Sequence, residues 1–208
     1  LEHGSVLVPS HFQKLLHGVN VKVLDMEPGE PKDFILDKIQ AALTNRTRMV
    51  FLSHIEYSSG LRMPVTEIRQ MTAEKGIMLL LDGAQTAGHI ALDMKSLDCE
   101  FYSIPGQKWL LGPEGMGALY IRQDIISQVK PSQVAGRATV SNHDPHHIET
   151  IDDSMDKFLG TSTSVALNAG MLEAINFIQE IGTDEIENRD LDLAASFKTG
   201  LSEIPGVT

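Results

Sequence analysis

Two nearly continuous apolar runs, "RMVFLSHI" (48–55) and "IMLLLD" (77–82), constrain this chain most. A strand that is apolar toward both faces has to be covered on both faces, which requires helices on either side of a largely parallel sheet. The intervening segments supply them. "DFILDKIQAALT" (33–44) places Phe34, Ile35, Ile39, Ala42 and Leu43 on one side of a helix. "PVTEIRQMTAEKG" (64–76) reads as a helix with proline at its start and Gly76 at its stop. "SVLVPSHFQKLLHG" (5–18) has helical spacing and ends on Gly18, and "VKVLDM" (21–26) reads as a short strand. "EFYSI" (100–104) and "GALYI" (117–121) are separated by a Gly/Pro-rich loop without helical period, so that pair is expected to run antiparallel.

The expected fold is therefore α/β, a three-layer α/β/α sandwich around a mostly parallel mixed sheet. Residues 136–154 are the most polar stretch and read as a surface loop or flap. Long helices follow near 164–181 and 183–203, with Gly182 between them as a hinge. The chain divides accordingly into a large domain, 1–182, and the start of a second, 183–208. It begins without Met and breaks off at "SEIPGVT", which reads as a piece of a longer protein.

Charge and cysteine content narrow the classes of function. A net charge of −11, from 17 Lys and Arg against 28 Asp and Glu, argues against a nucleic-acid partner. The single cysteine, Cys99, allows no intrachain disulfide and points to a reducing, cytoplasmic compartment. No run reaches membrane-spanning length, and the N-terminus lacks a signal-peptide pattern, so no membrane partner is expected.

In an open α/β sheet, ligands bind beyond the carboxyl ends of the strands. "FLSHIEYSSG" puts His54, Glu56 and Tyr57 at one such end, and "LLLDGAQTAG" puts Asp82 and Gln85 at another. "FYSIPGQKWLL" puts Lys108 beyond a third, with Trp109, Leu110 and Leu111 following as an apolar wall. Each residue alone reads most simply as a solvated loop residue. Together, with glycines beside both Asp82 and Lys108, they form a chemical set. A lysine amine condenses with an aldehyde to a Schiff base, and desolvation by apolar neighbours favours its neutral form. A strand-end carboxylate holds a pyridinium N–H and so keeps the ring able to draw electrons from a carbanion. Gly83 and Ala84 let a flat ring approach the backbone, and Gln85 reaches a ring oxygen. That set is the apparatus for pyridoxal phosphate.

The stretch "LLLDGAQTAGHIALDMKSLDCEFYSIPGQKWLLGPEGMGALYI" resembles the core of the class V aminotransferases, a family that includes cysteine desulfurases, cysteine/cystine C–S lyases and isopenicillin N epimerase-like proteins. The resemblance is strong over roughly 77–122 and extends more weakly from "LEHGS" to "LGTSTSVALNAGMLEAINFI". It implies a fold type I, pyridoxal 5'-phosphate-dependent enzyme acting on a small amino acid. Lys108 is then the Schiff-base lysine and proton carrier, Asp82 the partner of the pyridine nitrogen, and Gln85 a ligand of the ring hydroxyl. His3 stacks on the ring. Thr161, in "LGTST", reaches the cofactor phosphate of a neighbouring subunit, which implies a homodimer with composite sites. Gln107 stands where the family has a histidine and still offers an N–H to the phosphate. Tyr57 stands where desulfurases have an asparagine, and its phenol substitutes. Pro105 replaces a Ser or Thr phosphate ligand and offers no donor. The alternatives are a non-catalytic dimerisation scaffold of the same family, or epimerisation or transamination rather than C–S cleavage.

The remaining polar features read as structural. No metal site is expected: His143, Asp144, His146 and His147 form a solvated acidic loop, and "GPEGMG" (112–117) a turn. Asp93, Asp98 and Glu100 read as solvated or capping residues. Cys99 lies at the start of the strand whose far end carries Lys108, about 15 Å away at the strand rise, and is expected to be structural.

Overall fold

The computed structural model describes residues 2–141, 144–160 and 162–207. Its centre is a four-stranded sheet of β1 (Met49–Ser53), β2 (Met78–Asp82), β3 (Phe101–Pro105) and β4 (Gly117–Ile121), in that spatial order. β1, β2 and β3 are parallel. β4 returns antiparallel against β3, as the helix-free loop between them requires. Helices α1 (Gly4–His17), α2 (Lys32–Ala42), α3 (Val65–Ala73), α4 (Met94–Leu97), α5 (Val165–Ile181) and α6 (Thr183–Ser202) accompany it. A small ribbon of β5 (Thr139–Ser141) and β6 (Glu149–Thr150) lies within the polar 136–154 stretch.

Both faces of the sheet are covered. On one, Ile35 and Ile39 of α2 and Ile68 of α3 pack with Leu52, Leu79, Leu81, Cys99 and Tyr102. On the other, Phe101 and Ile121 pack with Ile125 and Ile126 of a 3₁₀ segment, Gln123–Gln128. In α3 the buried positions Val65, Ile68 and Thr72 follow the helical repeat. Pro64 precedes its first turn, and Gly76, at φ 63°, takes the left-handed conformation beyond its end. α1 ends likewise at Gly18, whose N–H bonds back to the Lys14 carbonyl. Among the described residues no helix is long and apolar enough to cross a membrane.

Three local readings are corrected. Residues 21–26 form no strand. Leu24 and Met26 turn onto the core, but the backbone is held by Lys38 Nζ donating to the Asp25 carbonyl (2.9 Å) rather than by a ladder. Apolar residues can turn inward from any backbone; a strand also needs a neighbour within reach. Phe34 lies outside the core with Lys38 Nζ 4.7 Å from its ring, so the inner stripe of α2 is narrower than its composition suggests. Glu100 is buried, not solvated. It accepts the Leu79 N–H (2.7 Å) and pairs with Arg69 (3.1 Å) and Arg122 (2.8 Å), which supply the charges its burial demands.

Candidate active site

The parallel strands β1 to β3 deliver their carboxyl ends to one edge, and there lies a cavity of about 610 Å³. His3, Tyr57, Asp82, Gln85, Gln107 and Lys108 all line it, together with Ser53, Ala84, Ser103 and Pro105. The expected residues are thus brought together, with one exception: Thr161 lies outside the described residues.

Asp82 closes β2 and is only 8% exposed. Its Oδ1 accepts from the Ala84 N–H (2.9 Å) and from Ser103 Oγ (3.2 Å). Its Oδ2 makes no hydrogen bond among the described residues, which leaves half of a buried carboxylate available to a ligand. Gly83 follows because nothing larger fits: a Cβ there would overlap the Tyr102 ring and lie 2.7 Å from the Ser103 carbonyl. Gln85, two residues on, is held by Trp109, whose Nε1 donates to Gln85 Oε1 at 2.8 Å.

Lys108 occupies the turn after β3 and is exposed. This corrects the expectation of an apolar wall. Trp109 turns its indole against His89, ring centroids 4.0 Å apart, and Leu111 points to solvent from a left-handed backbone, φ 58°. Gly106 and Gly112 bring the two arms of this turn together, with the Gly112 N–H bonded to the Gly106 carbonyl at 2.8 Å. A Cβ on either glycine would press against Met171 of α5.

His3 caps α1, its Nδ1 accepting from the Ser5 N–H (3.2 Å), and it meets the Tyr57 ring edge-on at 5.2 Å. What holds it there went unread in the sequence. The Glu2 carboxylate accepts from the Ser53 N–H (2.9 Å) and Ser53 Oγ (2.7 Å), tying the N-terminal segment to the end of β1. Ser103 also went unread, although a polar residue inside "FYSIP" was a signal; strand register sets it opposite Asp82. Glu56 does not enter the site. Its carboxylate is spent on the backbone N–H and hydroxyl groups of Ser58 and Ser59.

His54 also turns away. Its N–H donates to the Asp82 carbonyl (3.0 Å), while its ring is buried with Nδ1 3.0 Å from the Tyr102 hydroxyl. Burial, reinforced by the Arg62 guanidinium, holds its pKa down to about 4. The unfolded chain takes up this proton near pH 6.5 and the folded chain does not, so stability is full above that pH. It should fall by about 3 kcal/mol between pH 6.5 and 4. Urea midpoints measured across that window check this. An equally steep decline in His54→Gln would refute the assignment.

A second cavity, about 540 Å³, lies by His54, Arg62, Pro64 and Asp93, and its Lys32–Glu67 pair is already satisfied at 2.8 Å. It holds no comparable acid, amide and amine set. Among the described residues no group of three or more His, Cys, Asp or Glu could hold a metal ion. His143 lies outside those residues, and Asp144 accepts the His146 N–H (2.8 Å) within a turn. Cys99 is fully buried, and burial pushes its thiol up to about 11. A thiol-specific reagent should therefore label the native chain only after denaturant is added. Labelling of native Cys99 at the rate of a free thiol would contradict this.

A family model described as aminotransferase class-V matches residues 1–208. A protein from Halalkalibacterium halodurans named "probable cysteine desulfurase" is 29% identical over 210 residues, covering 100% of this chain and 50% of that protein. The chain thus spans about half the length of the curated relatives it matches. An apo cysteine desulfurase from Thermococcus onnurineus superimposes with a TM-score of 0.83 at 24% identity, over 97% of this chain and 49% of that one. A cystine C–S lyase in complex with its product cysteine persulfide does so with a TM-score of 0.89 at 24% identity, over 98% and 55%.

Proposed function

The chain belongs to the aminotransferase class-V family, and from that premise we propose that it is the cofactor-holding part of a pyridoxal 5'-phosphate-dependent enzyme acting on a small amino acid. The observation that carries this reading is Asp82: a buried strand-end carboxylate with one oxygen fixed by the protein and the other without a partner among the described residues. Ala84 beside it presents only a methyl group to the cavity, and the same cavity holds Lys108. When bound, pyridoxal phosphate supplies an electron sink at the substrate α-carbon.

The chain's own residues divide the remaining work. Asp82 holds the positive ring N–H by a charge-assisted hydrogen bond. Lys108 Nζ is the covalent anchor and carries the proton to and from the α-carbon. Gln85 and Tyr57 bond the ring hydroxyl, and His3 covers the ring face. Gln107 donates to the phosphate, to which Pro105 contributes nothing. Thr161 acts across the interface of a homodimer, and residues 183–208 begin a second domain beyond Gly182. The protein is cytoplasmic on this reading.

C–S cleavage is the favoured reaction, because the relative from Halalkalibacterium is named a probable cysteine desulfurase and one structural neighbour holds cysteine persulfide. Cys99 is too deeply buried to receive sulfur and takes no part in that step. Full-length protein titrated with pyridoxal phosphate should develop a visible absorption band. Amino acids assayed for sulfide, alanine, pyruvate and keto-acid release then sort the reaction. A full-length protein that neither develops the band nor retains cofactor after gel filtration would sink the proposal.

A further inference from the structure

Trp109 is the only tryptophan in the chain, and its ring covers no core. It is 41% exposed and makes two directed contacts. Nε1 donates to Gln85 Oε1 (2.8 Å), and the ring stacks on His89 with 13° between the planes. An indole N–H can only donate, so the amide end that meets it is the oxygen. The two N–H donors of Gln85 are thereby left as its free end, on a residue that lines the cofactor cavity. Gly88 permits the approach. Its φ is 87°, and a Cβ there would lie 2.5 Å from the Trp109 carbonyl oxygen.

His89 extends the chain of contacts. Its Nδ1 lies 2.9 Å from the Gln85 backbone carbonyl, and its Nε2 lies 2.9 Å from Asp190 Oδ2 on α6. Both neighbours are acceptors, so both contacts become hydrogen bonds only when both ring nitrogens carry protons. Asp190 Oδ2 is buried and has no other partner among the described residues. The stacked indole adds a third contact to the same ring. Beside Asp190, Glu187 joins α6 to the same segment through the Ala91 N–H (3.1 Å) and Arg62 (2.6 Å).

We propose that Asp190, His89 and Trp109 form a positioning relay that fixes which end of the Gln85 amide faces the cofactor, tying the seating of α6 to the cofactor cavity. The relay's consequence for the cofactor rests on the reading that this cavity takes pyridoxal phosphate. A correctly turned donor to the ring hydroxyl is one ordinary hydrogen bond, so its misdirection should weaken binding about fivefold. Gln85→Ala removes the amide and with it everything the relay acts upon.

The test is a double-mutant comparison in full-length protein, with pyridoxal phosphate titrated and followed by visible absorbance. Trp109→Phe keeps the stack and loses the N–H; it should weaken binding about fivefold alone and have no effect in a Gln85→Ala background. Asp190→Ala should behave the same way with a smaller loss. Unchanged binding in Trp109→Phe, or losses that multiply with that of Gln85→Ala, would overturn the relay. Trp109 emission provides a cofactor-free readout, taken as the difference between each protein and its Trp109→Phe counterpart. Asp190→Ala should shift that emission, and an unshifted spectrum overturns the relay too. Wild-type protein that binds no pyridoxal phosphate would instead overturn the proposed function, with the emission then deciding the relay.

Discussion

Lys108→Ala in the full-length protein should abolish borohydride-fixed attachment of pyridoxal phosphate and lower turnover by roughly 10²–10⁴-fold or more. Lys108 is the only lysine or arginine lining the cavity among the described residues, and it stands in the turn that β3 delivers to the same edge as Asp82. On the proposed function its loss removes covalent anchor and proton carrier together, so the effect belongs to kcat more than to KM. Folding should be spared, because the side chain is exposed and makes no hydrogen bond among the described residues. Peptide mapping after reduction checks the site of attachment. Cofactor fixed to another lysine, or turnover near that of the wild type, would refute the assignment.

Asp82→Asn should lower turnover by roughly 10²–10³-fold while leaving pyridoxal phosphate attached at Lys108. The carbonyl of asparagine still accepts from the Ala84 N–H and Ser103 Oγ, so the local turn is preserved. The negative charge is gone, and with it, on the proposed function, the means of keeping the ring nitrogen protonated. Asp82→Ala would lose the turn's hydrogen bonds as well, which is why asparagine is the sharper probe. Single-turnover measurement of α-proton exchange separates this effect from binding. Near-wild-type exchange in Asp82→Asn would mean that the ring nitrogen has another partner.

The legible part of this protein was what neighbours along the chain impose. The apolar runs at 48–55 and 77–82 dictated covered parallel strands, and the absence of helical period after "EFYSI" dictated an antiparallel return. Asp82, Gln85 and Lys108 were legible because a strand end is a position in sequence as well as in space. The same local reading failed where the outcome depended on distant chain. Residues 21–26 are mostly apolar, as a strand's are, but meet no partner strand. Lys108 is followed by three apolar residues, yet they do not wall it in, because Trp109 is drawn instead to Gln85 and His89.

The sequence by itself therefore determined the layered α/β class and the acid, amide and amine that gather at one edge of the sheet. Tertiary structure decided how each is held. Glu2 is fixed by Ser53, Asp82 by Ser103, Gln85 by Trp109, and His89 by Asp190 of α6. Side-chain periodicity is set by φ and ψ within a few residues and can be read locally. A hydrogen bond between groups twenty to a hundred residues apart forms only after the sheet has brought its ends together, so no local pattern records it.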